Sequence, residues 1–310
     1  VADVAIECEG LTKRFGSVVA LDGLTLQIPT GGVFGFLGPN GAGKSTTLRL
    51  ILGLIRPSAG SARVLGIDAR DVRRAHLHLA YVPGDVNLWP RLTGAECLDL
   101  LAKLRDGALD IAYRDDLVGR FELDLDKRGR AYSKGNRQKV ALVAAFATRA
   151  DVLLLDEPTS GLDPLMEQVF RECVHEATER GQTIFLSSHI LSEVEQLCSN
   201  VGILRAGQLV EVAEIDKLRT MHGTELELDF DGVAPDLAGM PGVARVTATP
   251  TGVRVELTGP PGPVLRAATD AGLVDVRSRE ASLEEIFLAY YGEPDGDRET
   301  VLSGAPPDGR

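Results

Sequence analysis

Apolar positions along the chain recur with two different periods. Residues 4–8 and 24–28 alternate apolar with polar, as strands with one covered face do, and 32–37 (GVFGFL) is a continuous apolar run that predicts a buried strand. Glycine-rich sequence follows, and then Leu48, Ile51, Leu52 and Ile55 fall at helical spacing until Arg56-Pro57, predicting a helix over 43–54. Helices are also predicted over 69–75, 94–105 and 111–121, a block without strand signals that should form a mostly helical insertion, and over 134–149. An apolar run at 152–155, a helical pattern over 165–179 and another apolar run at 183–186 come next. Strands alternating with helices in this way predict a parallel sheet covered on both faces. Past Gly207 the pattern changes to strands over 225–230, 243–249, 253–257 and 273–277, with a helix over 263–271, the order of a split β-α-β unit. An amphipathic segment over 282–291 closes this part, and the polar residues after it are expected to form a disordered tail.

Charge sharpens this division. Residues 1–205 carry 24 basic and 26 acidic groups, whereas 206–310 carry 9 and 19, so most of the net −12 belongs to the second part, where it is expected to form a solvated face. That balance opposes nonspecific attraction to nucleic acid or an anionic membrane. The four cysteines form no Cys-x-x-Cys pair, so neither a zinc site nor a disulfide framework is signalled, and a reducing cytosol is the expected setting. No stretch approaches the roughly 20 apolar residues that cross a bilayer, and no secretory signal is read.

The strongest chemical signal lies between the buried strand and the first helix. Gly38, Pro39, Asn40, Gly41, Ala42, Gly43, Lys44, Ser45 and Thr46 satisfy G-x-x-x-x-G-K-[ST]. The glycines let the backbone curl so that several N–H groups face one centre, and the helix start adds positive potential, which suits a polyphosphate. Lys44 is placed to reach the β- and γ-phosphates, and the Ser45 hydroxyl to ligate Mg²⁺. Asp156 and Glu157 end the apolar run at 152–155, where open α/β sheets keep their ligands. Asp156 is assigned to the metal, through water, and Glu157 to orienting or deprotonating the attacking water.

YSKGNRQKV at 132–140 resembles the signature loop of ATP-binding cassette (ABC) proteins, LSGGQRQ, with Ser133, Gly135, Arg137 and Gln138 matching and Tyr132, Lys134 and Asn136 departing. With SGLD at 160–163 and Ser188-His189 after an apolar run, the resemblance covers residues 4 to about 215. It implies a P-loop NTPase nucleotide-binding domain over 1–220 with a helical subdomain over about 85–150. Beyond it come a small α+β, ferredoxin-like domain over 221–292 and a tail over 293–310. It implies ATP and Mg²⁺ as cofactors and a head-to-tail homodimer, with Ser133, Lys134, Gly135, Asn136 and Asp163 of one copy meeting the ATP held by the other. Phe15 stands where the family stacks an aromatic on adenine, with a core aromatic as the alternative, and His189 where it senses the γ-phosphate and steadies the hydrolytic water. Lys134 either strengthens phosphate binding or points to solvent.

The family's Q-loop glutamine should follow Tyr81-Val82-Pro83, where this chain has Gly84 and Asp85. Either Asp85 replaces it as a water-mediated metal contact or the link is structural only. Trp89, Pro90 and Leu92 then stand where the family receives a permease helix, a buried Trp89 being the alternative. Leu-Thr-Gly-x-Glu at 92–96, Gly-Leu-Asp-Pro at 161–164 and the segment 282–292 resemble the drug and antibiotic exporter branch (ABC-2 type), and 81–96 is specifically similar to the ATPases of tetronasin-type exporters. The resemblance thus implies an ATPase at the cytoplasmic face of the membrane, driving efflux through a separate multispan permease in two copies, with no nucleic acid partner. The rival readings are a weakly hydrolysing regulator and an ABC protein acting on ribosomes or DNA.

Overall fold

In a computed structural model of the 310-residue chain, residues 3–104, 110–222, 224–280 and 282–292 are described. The chain divides into two compact units, 1–215 and 216–310. In the first, β1 (Val4–Phe15) and β2 (Val18–Pro29) pair antiparallel, and β3 (Gly32–Leu37) leads into α1 (Lys44–Ile51). Next come β4 (Ala59–Val64), β5 (Ile67–Asp68), the short α2 (Val72–Ala75) and β6 (Leu79–Val82). Helices α3 (Gly94–Leu104), α4 (Ile111–Arg120) and α5 (Lys134–Ala147) follow, then β7 (Val152–Asp156), α6 (Pro164–Glu179) and β8 (Thr183–Ser188). The unit ends with α7 (Leu191–Leu197), β9 (Asn200–Arg205) and β10 (Gln208–Glu214).

Two sheets result. The antiparallel sheet has the order β2-β1-β4-β5, and the larger one the order β10-β9-β3-β8-β7-β6, parallel except for its β10 edge. The strands buried on both faces are those with apolar runs at their centres: every residue of β7 and β8 is buried, including Asp156, Thr183, Ser187 and Ser188 at their ends. Phe185 of β8 joins neighbouring strands by packing on Phe34 and Phe36 of β3, with ring centroids 5.9 and 5.1 Å apart. Because β3, β8 and β7 are adjacent and parallel, the loops at their C-terminal ends open side by side. Those loops carry residues 38–43, 189–190 and 157–163.

Several predicted boundaries move. Only 72–75 of the 69–75 segment is helical, and the block expected to lack strands contains β6, whose four residues are too few to show a period. The strands β4, β5, β9 and β10 and the helix α7 complete the unit without having been read. Arg105, the expected end of α3, and the tail over 293–310 lie outside the described residues.

Helix α8 (Ile215–His222) runs across the division. The second unit continues with β11 (Thr224–Phe230), β12 (Val243–Ala248), β13 (Gly252–Leu257), α9 (Gly262–Asp270), β14 (Leu273–Glu280) and α10 (Leu283–Gly292). Its sheet is antiparallel with the order β12-β13-β11-β14, the 4-1-3-2 arrangement of a split β-α-β fold read from the other edge. The first crossover, over 231–242, is a loop instead of the helix a ferredoxin-like unit has there. Leu226, Leu228, Val253 and Val255 point to one side and pack with Val264 and Ala268 of α9. The other face is an ion-pair lattice, with Arg254 3.3 Å from Glu225 and Arg277 paired to both Asp229 and Asp275. The acidity of this part is therefore interleaved with arginine on a polar sheet face.

Candidate functional site

The loop after β3 is shaped by its glycines. Gly43 has φ +113°, and a Cβ there would stand 2.6 Å from the Ala20 carbonyl oxygen, so no L side chain fits. Helix α1 starts at the next residue with no acidic residue in its first turn, leaving its positive end for an anion. Lys44 is buried, and its Nζ donates to the carbonyl oxygens of Gly38 at 2.5 Å and Pro39 at 3.2 Å, inside the loop. Burial pulls its pKa down, and the nearby Glu157 and Asp156 carboxylates partly offset this. The lysine is thus held where negative charge would favour its ammonium form.

Ser45 donates its hydroxyl proton to Asp156 Oδ2 at 2.8 Å, joining the start of α1 to the end of β7. A hydroxyl and a carboxylate converging on one point are hard oxygen donors of the kind Mg²⁺ takes, with substrate phosphates completing its shell. Among the described residues no group of three or more His, Cys, Asp or Glu side chains is arranged to hold a metal ion by itself, so the donor set fits Mg²⁺ bound together with a polyphosphate and not a dedicated protein cage. Glu157 follows with φ +48°, in the left-handed region, and its N–H donates to the Ser187 carbonyl at 2.8 Å. This turns the Glu157 side chain out of the strand direction toward β8, where His189 Nδ1 lies 3.0 Å from Glu157 Oε1. The five side chains of Lys44, Ser45, Asp156, Glu157 and His189 therefore meet at the mouths of three adjacent strands.

The signature residues form a second constellation. Ser133 caps α5, its Oγ accepting from the Asn136 N–H at 3.2 Å. Lys134 Nζ donates to Ser160 Oγ at 2.6 Å, so the cation that replaces a family glycine neither points to solvent alone nor stands apart from the 160–163 loop. Gly135 backs directly on Gly161, whose carbonyl oxygen would lie 2.2 Å from a Cβ at 135. Asp163 caps α6, accepting from the N–H groups of Leu165 and Met166 at 3.1 Å. Among the described residues no hydrogen bond or ion pair joins Ser133, Lys134, Gly135 or Asn136 to residues 38–46 of the same chain.

Phe15 ends β1 and is 50 % exposed, with Lys13 Nζ 4.8 Å from its ring centre, so the core-aromatic alternative is excluded. Asp85 is exposed and accepts from Asn87 Nδ2 at 3.4 Å. Gly84 lies against the site, its missing Cβ 3.2 Å from the Asp156 carbonyl oxygen. Trp89 is 42 % exposed and, with Tyr81, Val86, Leu101, Leu104 and Ala144, lines an apolar groove of about 270 Å³.

Two functional candidates were given no role from the sequence, although one of them, Arg137, was noted there as a signature match. Arg137 sends Nε to the Val86 carbonyl and Nη1 to the Tyr132 carbonyl, both at 3.0 Å, tying a wall of the groove to the residue before the Ser133 cap. Glu193 accepts the Ser188 hydroxyl at 2.7 Å beside His189. The arginine matches the signature, but its carbonyl partners carry no sequence mark, and the glutamate reads as one acidic residue on a short helix.

The family model described as "ABC transporter" matches residues 21–160. The chain is 35 % identical to the daunorubicin resistance ATP-binding protein DrrA3 of Streptomyces coeruleorubidus over 94 % of this chain and 97 % of that one. It is 37 % identical to the bacitracin transport ATP-binding protein BcrA of Bacillus licheniformis over 73 % of this chain and 74 % of that one. A solved structure of an ATP-binding subunit of an ABC transporter superposes with a TM-score of 0.65 at 32 % identity, covering 69 % of this chain and 92 % of the other.

Proposed function

The chain belongs to the ATP-binding proteins of ABC transporters and is an ATPase, and we propose that it powers a separate membrane permease for the efflux of drugs or antibiotics. The observation that carries the reading is the convergence of Lys44, the Ser45–Asp156 bond and the Glu157–His189 pair at three parallel strand ends. The backbone N–H groups of the 38–46 loop and the N-terminal start of α1 hold the triphosphate, and Lys44 exchanges its loop carbonyls for phosphate oxygens. Ser45 and Asp156 would hold Mg²⁺, which supplies charge neutralisation at the phosphates when bound. Glu157 accepts a proton from the attacking water, and His189, whose Nδ1 lies 3.0 Å from Glu157 Oε1, orients that carboxylate toward the water.

The second constellation acts on a neighbour. In a head-to-tail pair, Ser133, Lys134, Gly135, Asn136 and Asp163 of one copy close over the ATP held by the other, and Phe15 stacks on adenine. The exposure of Phe15, and the fact that among the described residues no hydrogen bond or ion pair joins 133–136 to the chain's own 38–46 loop, support this. The groove lined by Trp89 supports a permease helix as its occupant, because its walls are apolar and its rim includes an exposed indole. No helix among the described residues is long and apolar enough to cross a membrane, so transport needs that second chain, which would hold this one at the cytoplasmic face.

The test is Glu157→Gln. It should retain ATP binding and lose phosphate release by at least about a hundredfold, the range for removing a general base, while shifting the protein toward a closed dimer. Normal hydrolysis by this variant would overturn the assignment. Gly84, where the family places a glutamine, favours one rival, a weakly hydrolysing regulator. A rate with permease present that matches the Glu157→Gln background would decide for it.

A further inference from the structure

Three features outside the site compete: the arginine-laced outer face of the second unit's sheet, the Arg137 fork, and the buried carboxylate behind His189. The sheet face is satisfied by its own ion pairs, and the Arg137 fork leads only to the groove already described. The carboxylate goes further.

Glu193 sits in the first turn of α7, three residues past Ile190, the cap position, which has no side-chain cap bond. Its Oε2 accepts the Ser188 hydroxyl proton at 2.7 Å. Ser188 is 1 % exposed, and its Oγ accepts in turn from the Ile190 N–H at 3.0 Å. The hydroxyl thus closes a small ring over His189: the residue before it bonds to the residue after it, and the serine proton is anchored in the helix. The proton has one other acceptor, the Ile190 carbonyl oxygen at 3.4 Å, so without Glu193 the hydroxyl would turn toward that longer contact, away from its present place under the Ile190 N–H, and the turn would lose its register. We propose that Glu193 is a positioning residue for hydrolysis, acting through Ser188 to hold the 188–190 turn that presents the His189 imidazole to Glu157.

The surroundings agree with a built role. Burial pushes the Glu193 pKa up, the Ser188 and Thr159 hydroxyls and His189 pull it down, and Glu167 on α6 pushes it up again. Thr159 belongs to the loop after Glu157 and lines the same pocket as Glu193, so the carboxylate borders both loops that carry the pair. Oε1 is buried without a hydrogen-bond partner among the described residues. A carboxylate kept at that cost for surface solvation alone has no physical rationale, since a surface glutamate turns both oxygens to water. The remaining polar groups around it, Arg171, Ser192 and Gln196, line the shallow pocket beside it.

This inference rests on Glu157 and His189 as the hydrolytic pair, and a double-mutant cycle separates the two. Glu193→Ala and Ser188→Ala are each made in the wild-type and His189→Ala backgrounds. ATP turnover, KM for ATP and melting temperature are then measured. Either change should lower kcat by about tenfold with KM within about twofold, because a tilted imidazole spoils orientation but not nucleotide binding. In the His189→Ala background the same change should cost less than about twofold, since a group acting only through the histidine has nothing left to position. Ser188→Ala removes only one oxygen, so it reads the same link if Glu193→Ala fails to fold. Wild-type turnover in Ser188→Ala, or a loss that persists without His189, overturns the role of Glu193 alone. Wild-type turnover in His189→Ala overturns the pair and this role with it.

Discussion

Gly135 offers the sharpest test of how the second constellation is built. In Gly135→Ala the new Cβ would stand 2.2 Å from the Gly161 carbonyl oxygen, and the next nearest atoms are also Gly161 and Leu162 backbone. Contact distances below 3.0 Å are essentially never seen for a Cβ, so the start of α5 and the 160–162 loop must part by about 1 Å, and neither is a side chain that can swing away. Overpacking of this kind costs about 1–3 kcal/mol. For a unit of about 215 residues each kcal/mol lowers the melting temperature by about 2–4 °C, so a fall of about 2–12 °C is expected. The same displacement moves Ser133, Lys134 and the Ser160 hydroxyl relative to one another, and on the proposed head-to-tail arrangement ATP turnover should fall by about tenfold or more. The matched control is Gly119→Ala in α4, where no atom lies within 4 Å of a Cβ; alanine there should stabilise by about 0.5–1 kcal/mol. Differential scanning fluorimetry and phosphate release measure both. Equal melting temperatures for Gly135→Ala and wild type would refute the close approach, and unchanged turnover would refute its place in the site.

Phe15→Ala should weaken ATP binding by about three- to tenfold, as expected for one lost aromatic contact, without moving the melting temperature, because the ring is half exposed; nucleotide titration by fluorescence checks it. Ser45→Ala should raise the Mg²⁺ concentration needed for half-maximal turnover, while leaving Mg²⁺-free nucleotide binding within about twofold. Burial pushes the Cys8 and Cys173 thiols up to about 12 and raises Cys97 and Cys198 as well, so a thiol-exchange reagent at pH 8 should titrate none of them before unfolding and all four after. The Arg70 side chain and N–H hold the Asp68 carboxyl down to about 2 from 3.8. A depressed folded pKa stabilises above the unfolded value and is lost as pH falls toward the folded one. The urea midpoints of wild type and Asp68→Asn should therefore differ slightly at pH 6 and converge between pH 4 and pH 2, by less than about 1 kcal/mol since the pair is exposed to solvent.

The nucleotide half of the site was legible because each of its parts is written locally. A strand that is apolar throughout, a glycine loop and a helix start specify the 38–46 cradle, and LLLD followed by Glu157 specifies a buried strand ending in carboxylates. What could not be read is pairing across the sheet. Asp156 and Ser45 are 111 residues apart and meet only because β3 and β7 both flank β8. The strand β4 has the sequence AGSARV, too small and polar to signal a strand, and it forms because β1 and β5 flank it. Likewise β6 was not read from its four residues and forms by pairing in parallel with β7. The small unit's strands were read from their alternation, but the missing crossover helix was not, since the length of 231–242 permits either form.

The groups proposed to meet nucleotide already have partners within the chain, so binding is an exchange, and its yield depends on what each group gives up. Lys44 leaves two neutral carbonyls for phosphate oxygens, trading ordinary hydrogen bonds for charge-assisted ones of about twice the strength. Ser133 gives up nothing: its Oγ accepts from the Asn136 N–H, and the hydroxyl proton that this bond does not use can be donated to a phosphate without uncapping α5. Lys134 must break a 2.6 Å bond to Ser160 to reach across, and its side chain lies along Gly161 as it does so. A glycine at 134 would carry no such contact. The signature of this chain is therefore tethered to its own 160–163 loop, and in the proposed head-to-tail pair the strength of closure would be set by the difference between a hydroxyl and a phosphate as partner for one ammonium group.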